Sequence, residues 1–272
     1  MSKFSTVYLQ YVKNYYRSRS FYLMLLLISI ISIMMIYFSF KYINNFPKFL
    51  GSSSIPITIK EALFYFLWTL ILLYVPVFSA VFFGSPAISS EIENKTAYFI
   101  FPLPINRYKL YIGKFLAAFT VSFIIMIIYL IVEVGTLSYL FHSLPTIYFY
   151  YSLLLLIIFI LTMTSVTFMI SAIFNKNTYA YITVLLIYYI VFYAGSFIIE
   201  LLYKIDPIYL LSDAASIIER AYMNINTADF FSTPSISPAP FADIIFSALI
   251  MVIYFIASFA IGLILFERKE VS

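Results

Sequence analysis

The sequence predicts an all-α integral membrane protein with six transmembrane helices, and three observations lead to that fold class. Of the 272 residues, 64% are hydrophobic and 10% are charged, whereas a soluble domain carries about a quarter charged residues. Six apolar runs each provide the roughly 20 helical residues needed to cross a hydrocarbon core of about 30 Å. The charged residues lie mostly in short segments between these runs. Together these features exclude a water-soluble globular fold.

The six runs occupy most of the chain, and none shows the alternating hydropathy that is typical of an outer-membrane barrel. We expect the first run to be a retained anchor, because it is longer than a signal-peptide core and no small-residue cleavage site follows it. The segments between runs are too short to bury cores of their own, so 1–272 is predicted to be a single transmembrane domain. The runs are 21–40, 63–83, 115–141, 150–174, 179–202 and 241–266.

The distribution of basic residues predicts the orientation of the chain. With the amino terminus placed in the cytoplasm, 11 of the 16 Lys and Arg residues fall on the cytoplasmic side and 5 on the outer side, as the positive-inside rule requires. An even number of spans then returns the carboxyl terminus to the cytoplasm of a multi-pass cell-membrane protein. Cysteine is absent and His142 is the only histidine, so we expect no Cys/His metal site.

The segment 1–19 is predicted to be an amphipathic helix lying at the cytoplasmic membrane surface. Its apolar residues recur at three- and four-residue spacing, while Lys and Asn side chains occupy the other face. The alternative is a basic, aromatic flank that only anchors the first span. The apolar residues are Phe4, Val7, Tyr8, Tyr11, Val12 and Tyr15.

The segment 203–240, between the fifth and sixth runs, is predicted to form one or two short helices on the outer side. Asp206-Pro207 has the pattern of an N-cap followed by proline at the first helical position. Apolar residues at helical spacing continue from Leu210 to Ala221.

The segment 84–114, between the second and third runs, is predicted to carry a short cytoplasmic helix. Ser90 and Glu93 have the spacing of a capping box, so a helix is expected to begin at Ser90 and run to about Phe99, before Pro102 and Pro104 stop it. Asn106 is then expected to cap the third span. Such a helix is a lever on which a soluble partner could push, and the alternative is a solvated connector between two spans.

The same segment resembles a known family signature. Glu91-x-Glu93-x-x-Thr96, followed by Pro104-Ile105-Asn106-Arg107 and Ile112-Gly113-Lys114, is similar to the inner loop of permease subunits of type-2 ATP-binding-cassette transporters. The layout is similar over nearly the whole chain: an entry helix, six spans, this loop after the second span and a helical outer loop. Lys95 departs from the pattern, because the family usually has glycine before Thr96.

The resemblance implies a permease subunit of an exporter. Its inner loop would form the coupling helix on a separate nucleotide-binding ATPase subunit, and a second six-span permease, either the same chain or a sister chain, would complete the translocation path. ATP and Mg²⁺ would bind the ATPase, because this chain has no phosphate-binding P-loop. Membrane lipid, and not nucleic acid, is the remaining partner. The implied coupling residues are Glu91, Glu93, Thr96, Pro104, Arg107 and Lys114.

Polar side chains inside the apolar runs are candidates for the translocation path. Acidic residues at membrane depth are costly and often functional, and Glu133 lies well inside the third run. Thr164, Thr167 and Ser171 share one face of the fourth run. For all four the alternative is helix packing. Glu200 and Asp243 lie near helix ends and are expected to be wetted by water.

Two other functions compete with the permease interpretation. One is a secondary transporter driven by protons through Glu133 and Glu200, and the other is a membrane assembly protein that transports nothing. A partner ATPase would favour the permease, whereas transport that collapses with the proton gradient would favour the secondary transporter.

Overall fold

The computed structural model describes residues 3–43, 57–100, 105–224 and 237–269, and within these ranges the chain is helical and contains no strand. A 3-10 turn, Ser85–Ala87, joins α4 to α5, and α9 includes a π-helical stretch at Ile187–Ala194. The helices are α1 (Lys3–Tyr16), α2 (Arg19–Tyr42), α3 (Ile57–Thr69), α4 (Ile71–Gly84), α5 (Ser89–Glu93), α6 (Ala97–Ile100), α7 (Arg107–Phe141), α8 (Ile147–Ile173), α9 (Asn177–Tyr203), α10 (Leu211–Arg220) and α11 (Phe241–Arg268).

Six helical segments of the described chain are long and apolar enough to cross a membrane, which confirms the predicted all-α, six-span fold class. The second span is built from α3 and α4, which meet at Leu70. The third span begins at Arg107 instead of residue 115, so the basic residues before the apolar run belong to the helix. The spans are Arg19–Tyr42, Ile57–Glu93, Arg107–Phe141, Ile147–Ile173, Asn177–Tyr203 and Phe241–Arg268.

The core of the bundle lies among the second, third and fourth spans, which are the most deeply buried. The fourth span, α8, packs against α4, α7 and α11. Only about a fifth of the side chains of the first, fifth and sixth spans are buried inside the described chain. We call the end of the bundle that carries α5 and α6 the loop end, and the opposite end, which carries α10, the α10 end.

The amino-terminal helix α1 forms as predicted, and it packs along α7. Gly113 of α7 makes this approach possible, because a side chain there would meet the Val7 side chain at 2.9 Å. Tyr15 is also buried, and its ring meets the edge of Phe83 in α4 at 5.7 Å between centroids. One face of α1 therefore binds protein, while its location at a membrane surface remains a prediction.

The prediction that a helix starts at Asp206-Pro207 is wrong. The chain turns there, since the Ile208 N–H donates to the Asp206 carbonyl and the Leu210 N–H donates to the Pro207 carbonyl. The Asp206 carboxylate accepts a hydrogen bond from Arg220 at 3.2 Å instead of capping a helix. Helix α10 begins at Leu211 and keeps the predicted spacing, with its apolar side chains buried.

Candidate functional site

The loop end is held in place by a hydroxyl of the fourth span. The Ser171 Oγ donates to the Ser85 carbonyl at 2.6 Å and accepts from the backbone N–H groups of Ile88 and Ser89, at 3.3 and 3.0 Å. The predicted capping box is therefore wrong: α5 begins at Ser89, and Ser90 lies inside it. The cap comes from a residue more than 80 positions away in the sequence.

The predicted continuous helix from Ser90 to Phe99 is also wrong, because the chain is interrupted at Lys95. Lys95 has a φ of 60°, in the left-handed region that glycine adopts most easily. The Thr96 hydroxyl donates to the Glu91 carbonyl at 3.2 Å and closes the turn. Lys95 thus adopts a conformation that glycine favours, at the position where the sequence departs from the inner-loop pattern described above.

Glu91 joins α5 to two other helices. Its Oε2 accepts a hydrogen bond from the Lys114 ammonium, and its Oε1 accepts one from the Tyr11 hydroxyl at 2.6 Å. Lys114 is fully buried; it also donates to the Ala87 carbonyl at 3.0 Å and lies 5.1 Å from the centre of the Tyr11 ring. Burial, followed by the negative charge of Glu91, raises the pKa of Tyr11 well above its usual range, so this hydroxyl stays protonated and remains a donor.

Glu93 joins α5 to the start of the fifth span. Its Oε2 accepts a hydrogen bond from the backbone N–H of Asn177 at 2.9 Å, in the first turn of α9. A carboxylate at this place satisfies a free N–H and interacts favourably with the positive end of the helix dipole. The sequence gives no indication of this role, because the carboxylate and the helix it caps are far apart along the chain.

Arg107 begins the third span and binds the end of the sixth. Its Nη1 donates to the carbonyls of Glu267 and Lys269, each at 2.8 Å. Lys269 in turn donates to three carbonyls at the end of α8, those of Ala172, Ile173 and Phe174, as a cation at a helix carboxyl end should. Asn106 stands at the N-cap position of α7 but forms no side-chain cap, and Pro104 lies outside the described residues.

Five residues that follow α5 are exposed instead. We call them the loop-end patch: Asn94, Lys95, Thr96, Tyr98 and Phe99. The Phe99 side chain is 81% exposed and the Tyr98 side chain 47%. Neither aromatic residue was predicted to be functional, although their position outside the six apolar runs indicated that they do not serve a span. Hydrogen bonds of Glu91, Ser171 and the exposed Glu93 fix the adjoining helix α5 to the third, fourth and fifth spans.

The candidate path residues lie inside the subunit. Thr164, Thr167 and Ser171 are fully buried, and the first two hydroxyls donate to carbonyls of their own helix, each at 2.7 Å. The Thr167 methyl also packs on Gly84, where a side chain would lie 2.9 Å away. These contacts describe helix packing, and a role in translocation remains a prediction.

The buried carboxyl groups differ from one another. Glu133 is fully buried, and neither of its carboxylate oxygens has a hydrogen-bond partner among the described residues. Glu200 is only 6% exposed, so the expectation that water wets it is wrong for this chain; Asp213 of α10 lies beside it. Asp243 is partly exposed in the first turn of α11.

Among the described residues, no cluster of three His, Asp or Glu side chains could hold a metal ion.

These features define a multi-pass membrane protein with a fixed loop at one end of its helix bundle, the architecture of a permease. Residues 6–271 match the model of the ABC-2 family transporter protein. The chain therefore belongs to this family, whose members are the membrane permease components of ATP-binding-cassette transporters. The resemblance inferred from the inner loop is confirmed. A comparison with curated proteins finds no match.

Proposed function

We propose that this chain is the permease subunit of an ATP-driven exporter and that a separate ATPase subunit binds its loop-end patch in the cytoplasm. The observation that carries the proposal is the contrast between the two sides of the loop. One side presents Tyr98 and Phe99 to the surroundings, and the other is fixed to the spans through Glu91 and Glu93. Large aromatic side chains on a surface are the residue types that most often anchor protein interfaces.

The contacts under the patch supply a route for movement. A partner that changes shape can shift the spans only through contacts that differ between its states. A push on the patch would reach α7 through the pair of Glu91 and Lys114 and would reach α9 through the hydrogen bond between Glu93 and Asn177. ATP and Mg²⁺ bind the ATPase in this scheme, and the permease converts its closure into motion of the helices.

A second six-span permease, of the same or a sister chain, completes the proposed transporter. The first, fifth and sixth spans bury only about a fifth of their side chains inside the described chain, and their exposed apolar surfaces are available for the second permease and for lipid. The translocation path would lie between the two permeases, and export is the direction that the family resemblance implies. Proton-driven secondary transport is the competing function, because Glu133 is buried without a partner.

The test is to purify the full chain from its native membrane with and without Phe99→Ala and to identify bound subunits by mass spectrometry. Leu144→Ala is the matched control, because Leu144 is 86% exposed and lies at the opposite end of the bundle. We expect an ATPase with a P-loop to copurify with the parent chain and with Leu144→Ala, and much less of it with Phe99→Ala. Equal recovery with all three would remove the patch as the docking site.

The mode of energy coupling is tested separately in proteoliposomes. Transport by the purified complex should require ATP and should persist when the proton gradient is collapsed. Transport that continues without ATP and stops when the gradient is collapsed would replace the exporter with the proton-driven transporter.

A further inference from the structure

The third span contains a buried acid that the loop end does not use. Both carboxylate oxygens of Glu133 are buried and without a hydrogen-bond partner among the described residues, and the ion pairs found there do not include it. An unpaired carboxylate inside a membrane bundle is costly. A group that supplies positive charge or hydrogen-bond donors at this position would remove that cost.

The contacts between α3 and α7 place Glu133 within the bundle. Nearer the loop end, the Tyr129 hydroxyl of α7 donates to the Trp68 carbonyl of α3 at 2.8 Å. Nearer the α10 end, Ser143, just after α7, donates to the Glu61 carboxylate of α3 at 2.6 Å. The two helices belong to successive spans and run antiparallel, so Glu133 lies level with the part of α3 between Glu61 and Trp68, which is about two turns long.

This part of α3 carries Tyr65. The Tyr65 ring stacks on the ring of Tyr222, with 5.2 Å between centroids and 3° between planes. Both hydroxyl groups are buried and have no hydrogen-bond partner among the described residues. Ser152 lies close enough to interact with the Tyr222 hydroxyl, but it donates its own proton to the Ile218 carbonyl at 2.9 Å and so supplies no donor to the Tyr222 oxygen. Two phenol oxygens and two carboxylate oxygens that accept no hydrogen bond from the described residues therefore lie in one region.

The electrostatics link the two parts of this region. Burial, followed by the negative charge of Glu133, raises the pKa of Tyr222 well above its usual range. The acid of the third span thus acts on a tyrosine that follows α10, outside the spans. The region also contains no basic side chain that pairs with Glu133 in the described parts of the chain.

We propose that Glu133, Tyr65 and Tyr222 form a binding site for a primary ammonium group, with Tyr129 completing its aromatic wall. An ammonium group has three N–H donors and one positive charge, which suits one carboxylate and two phenol oxygens. Tyrosine rings attract cations electrostatically. A hard divalent cation is a poorer fit, because it takes six or more oxygen ligands. The ammonium group comes either from an organic amine or from the ammonium ion.

The single tryptophan of the chain provides a built-in reporter. Trp68 is fully buried, and its ring centroid lies 5.4 Å from that of Tyr129. Tyr129 precedes Glu133 by one turn of α7. Ligand binding at Glu133 should therefore change Trp68 fluorescence. The measurement uses the full chain in lipid nanodiscs without nucleotide, so its result is independent of whether an ATPase binds the loop-end patch.

The experiment titrates butylammonium chloride, ammonium chloride and, as a control for ionic strength, sodium chloride. We expect a saturable change with butylammonium, about tenfold or more weaker binding in Glu133→Gln, and weaker binding in Tyr222→Phe. Glu200→Gln is the matched control, because Glu200 is also buried with an unpartnered oxygen, and it should bind as the parent does. Saturation by ammonium chloride as well would identify the free ion as a second source, whereas its failure would restrict the site to organic amines.

Two results would overturn the proposal. The first is equal butylammonium binding by Glu133→Gln and the parent chain. The second is no saturable response to either cation in the parent chain together with an infrared band of a protonated carboxyl that Glu133→Gln removes, which would make the proton the only occupant. The fluorescence and infrared measurements are compared only between folded proteins, and thermal unfolding is used to check that each variant is folded.

Discussion

Lys114 of the third span donates a hydrogen bond to the carboxylate of Glu91 in α5, and Tyr11 of α1 donates to the other oxygen of the same carboxylate. Lys114 is fully buried and the Glu91 side chain is 13% exposed. Removal of one member of such a pair leaves the other charge without compensation. The position of α5, and with it that of the loop-end patch that follows, therefore depends on this contact.

Glu91→Ala should destabilise the protein by about 3–5 kcal/mol, because it leaves the Lys114 ammonium buried and unpaired. Adding Lys114→Met should restore part of this loss, since the buried charge is then gone. Glu93→Ala is the control and should cost only about 1 kcal/mol, the usual value of a lost helix cap. Thermal unfolding in lipid nanodiscs measures five proteins: the parent chain, Glu91→Ala, Lys114→Met, the double variant and Glu93→Ala. Strictly additive effects of Glu91→Ala and Lys114→Met would contradict the pairing.

Lys95→Gly should stabilise the protein by about 1 kcal/mol. Lys95 has a φ of 60°, and a left-handed conformation costs an ordinary residue roughly that amount whereas glycine adopts it freely. Lys109→Gly is the control: Lys109 lies in the first turns of α7, where glycine should be destabilising. Thermal unfolding distinguishes the two, and a loss of stability in Lys95→Gly would show that the Lys95 side chain makes a contact that outweighs the strain.

The spans were predictable because hydropathy and length act locally, and a 20-residue apolar run has few alternatives in a membrane. The loop end was predictable in its location but not in its contacts. Ser90 had the spacing of a cap, yet the hydroxyl of Ser171 in another span takes that role. Contact of Glu91 and Glu93 with an ATPase stays a prediction, but both also bind elements that lie far from them in sequence, which their spacing did not indicate. Such long-range hydrogen bonds depend on which helices pack together in the folded protein, and the local sequence does not specify that.

Ser171→Ala should cost about 1–3 kcal/mol, because it leaves the backbone N–H groups of Ile88 and Ser89 buried without their partner. The Ser85 carbonyl keeps the hydrogen bond from the Ser89 hydroxyl at 2.7 Å. The substitution should also weaken ATP-driven transport, since α5 loses its attachment to the fourth span. Thr164→Val is the matched control. The Thr164 hydroxyl donates to the Ile160 carbonyl of its own helix, so the change in the free energy of unfolding should be small. Equal stability of the two variants would mean that Ser171 does not hold the loop.

The acidic residues of α10 should make the protein less stable as the pH rises. Burial is the largest cause for both: it raises the pKa of Asp213 to about 7, against the lowering effect of Arg220 and with additional raising effects of Glu200 and Asp206, and the pKa of Glu219 to about 8, again against Arg220. Both carboxyl groups have lower pKa values when unfolded. The folded state therefore binds more protons than the unfolded state between these limits, and stability falls with rising pH.

The stabilising contribution of the protonated carboxyl groups should be complete below about pH 4 and lost as the pH passes through 7 and 8. Thermal unfolding in lipid nanodiscs from pH 5 to pH 9 measures this, and each kcal/mol lost should lower Tm by roughly 2–4 °C in a chain of this size. Asp213→Asn and Glu219→Gln should each flatten the profile, because the amide has no proton to lose. Asp243→Asn is the control, since Asp243 is partly exposed at the start of α11, and it should leave the slope unchanged. A profile that rises with pH in the parent chain would mean that Arg220 dominates over burial and that both acids are ionised in the folded state.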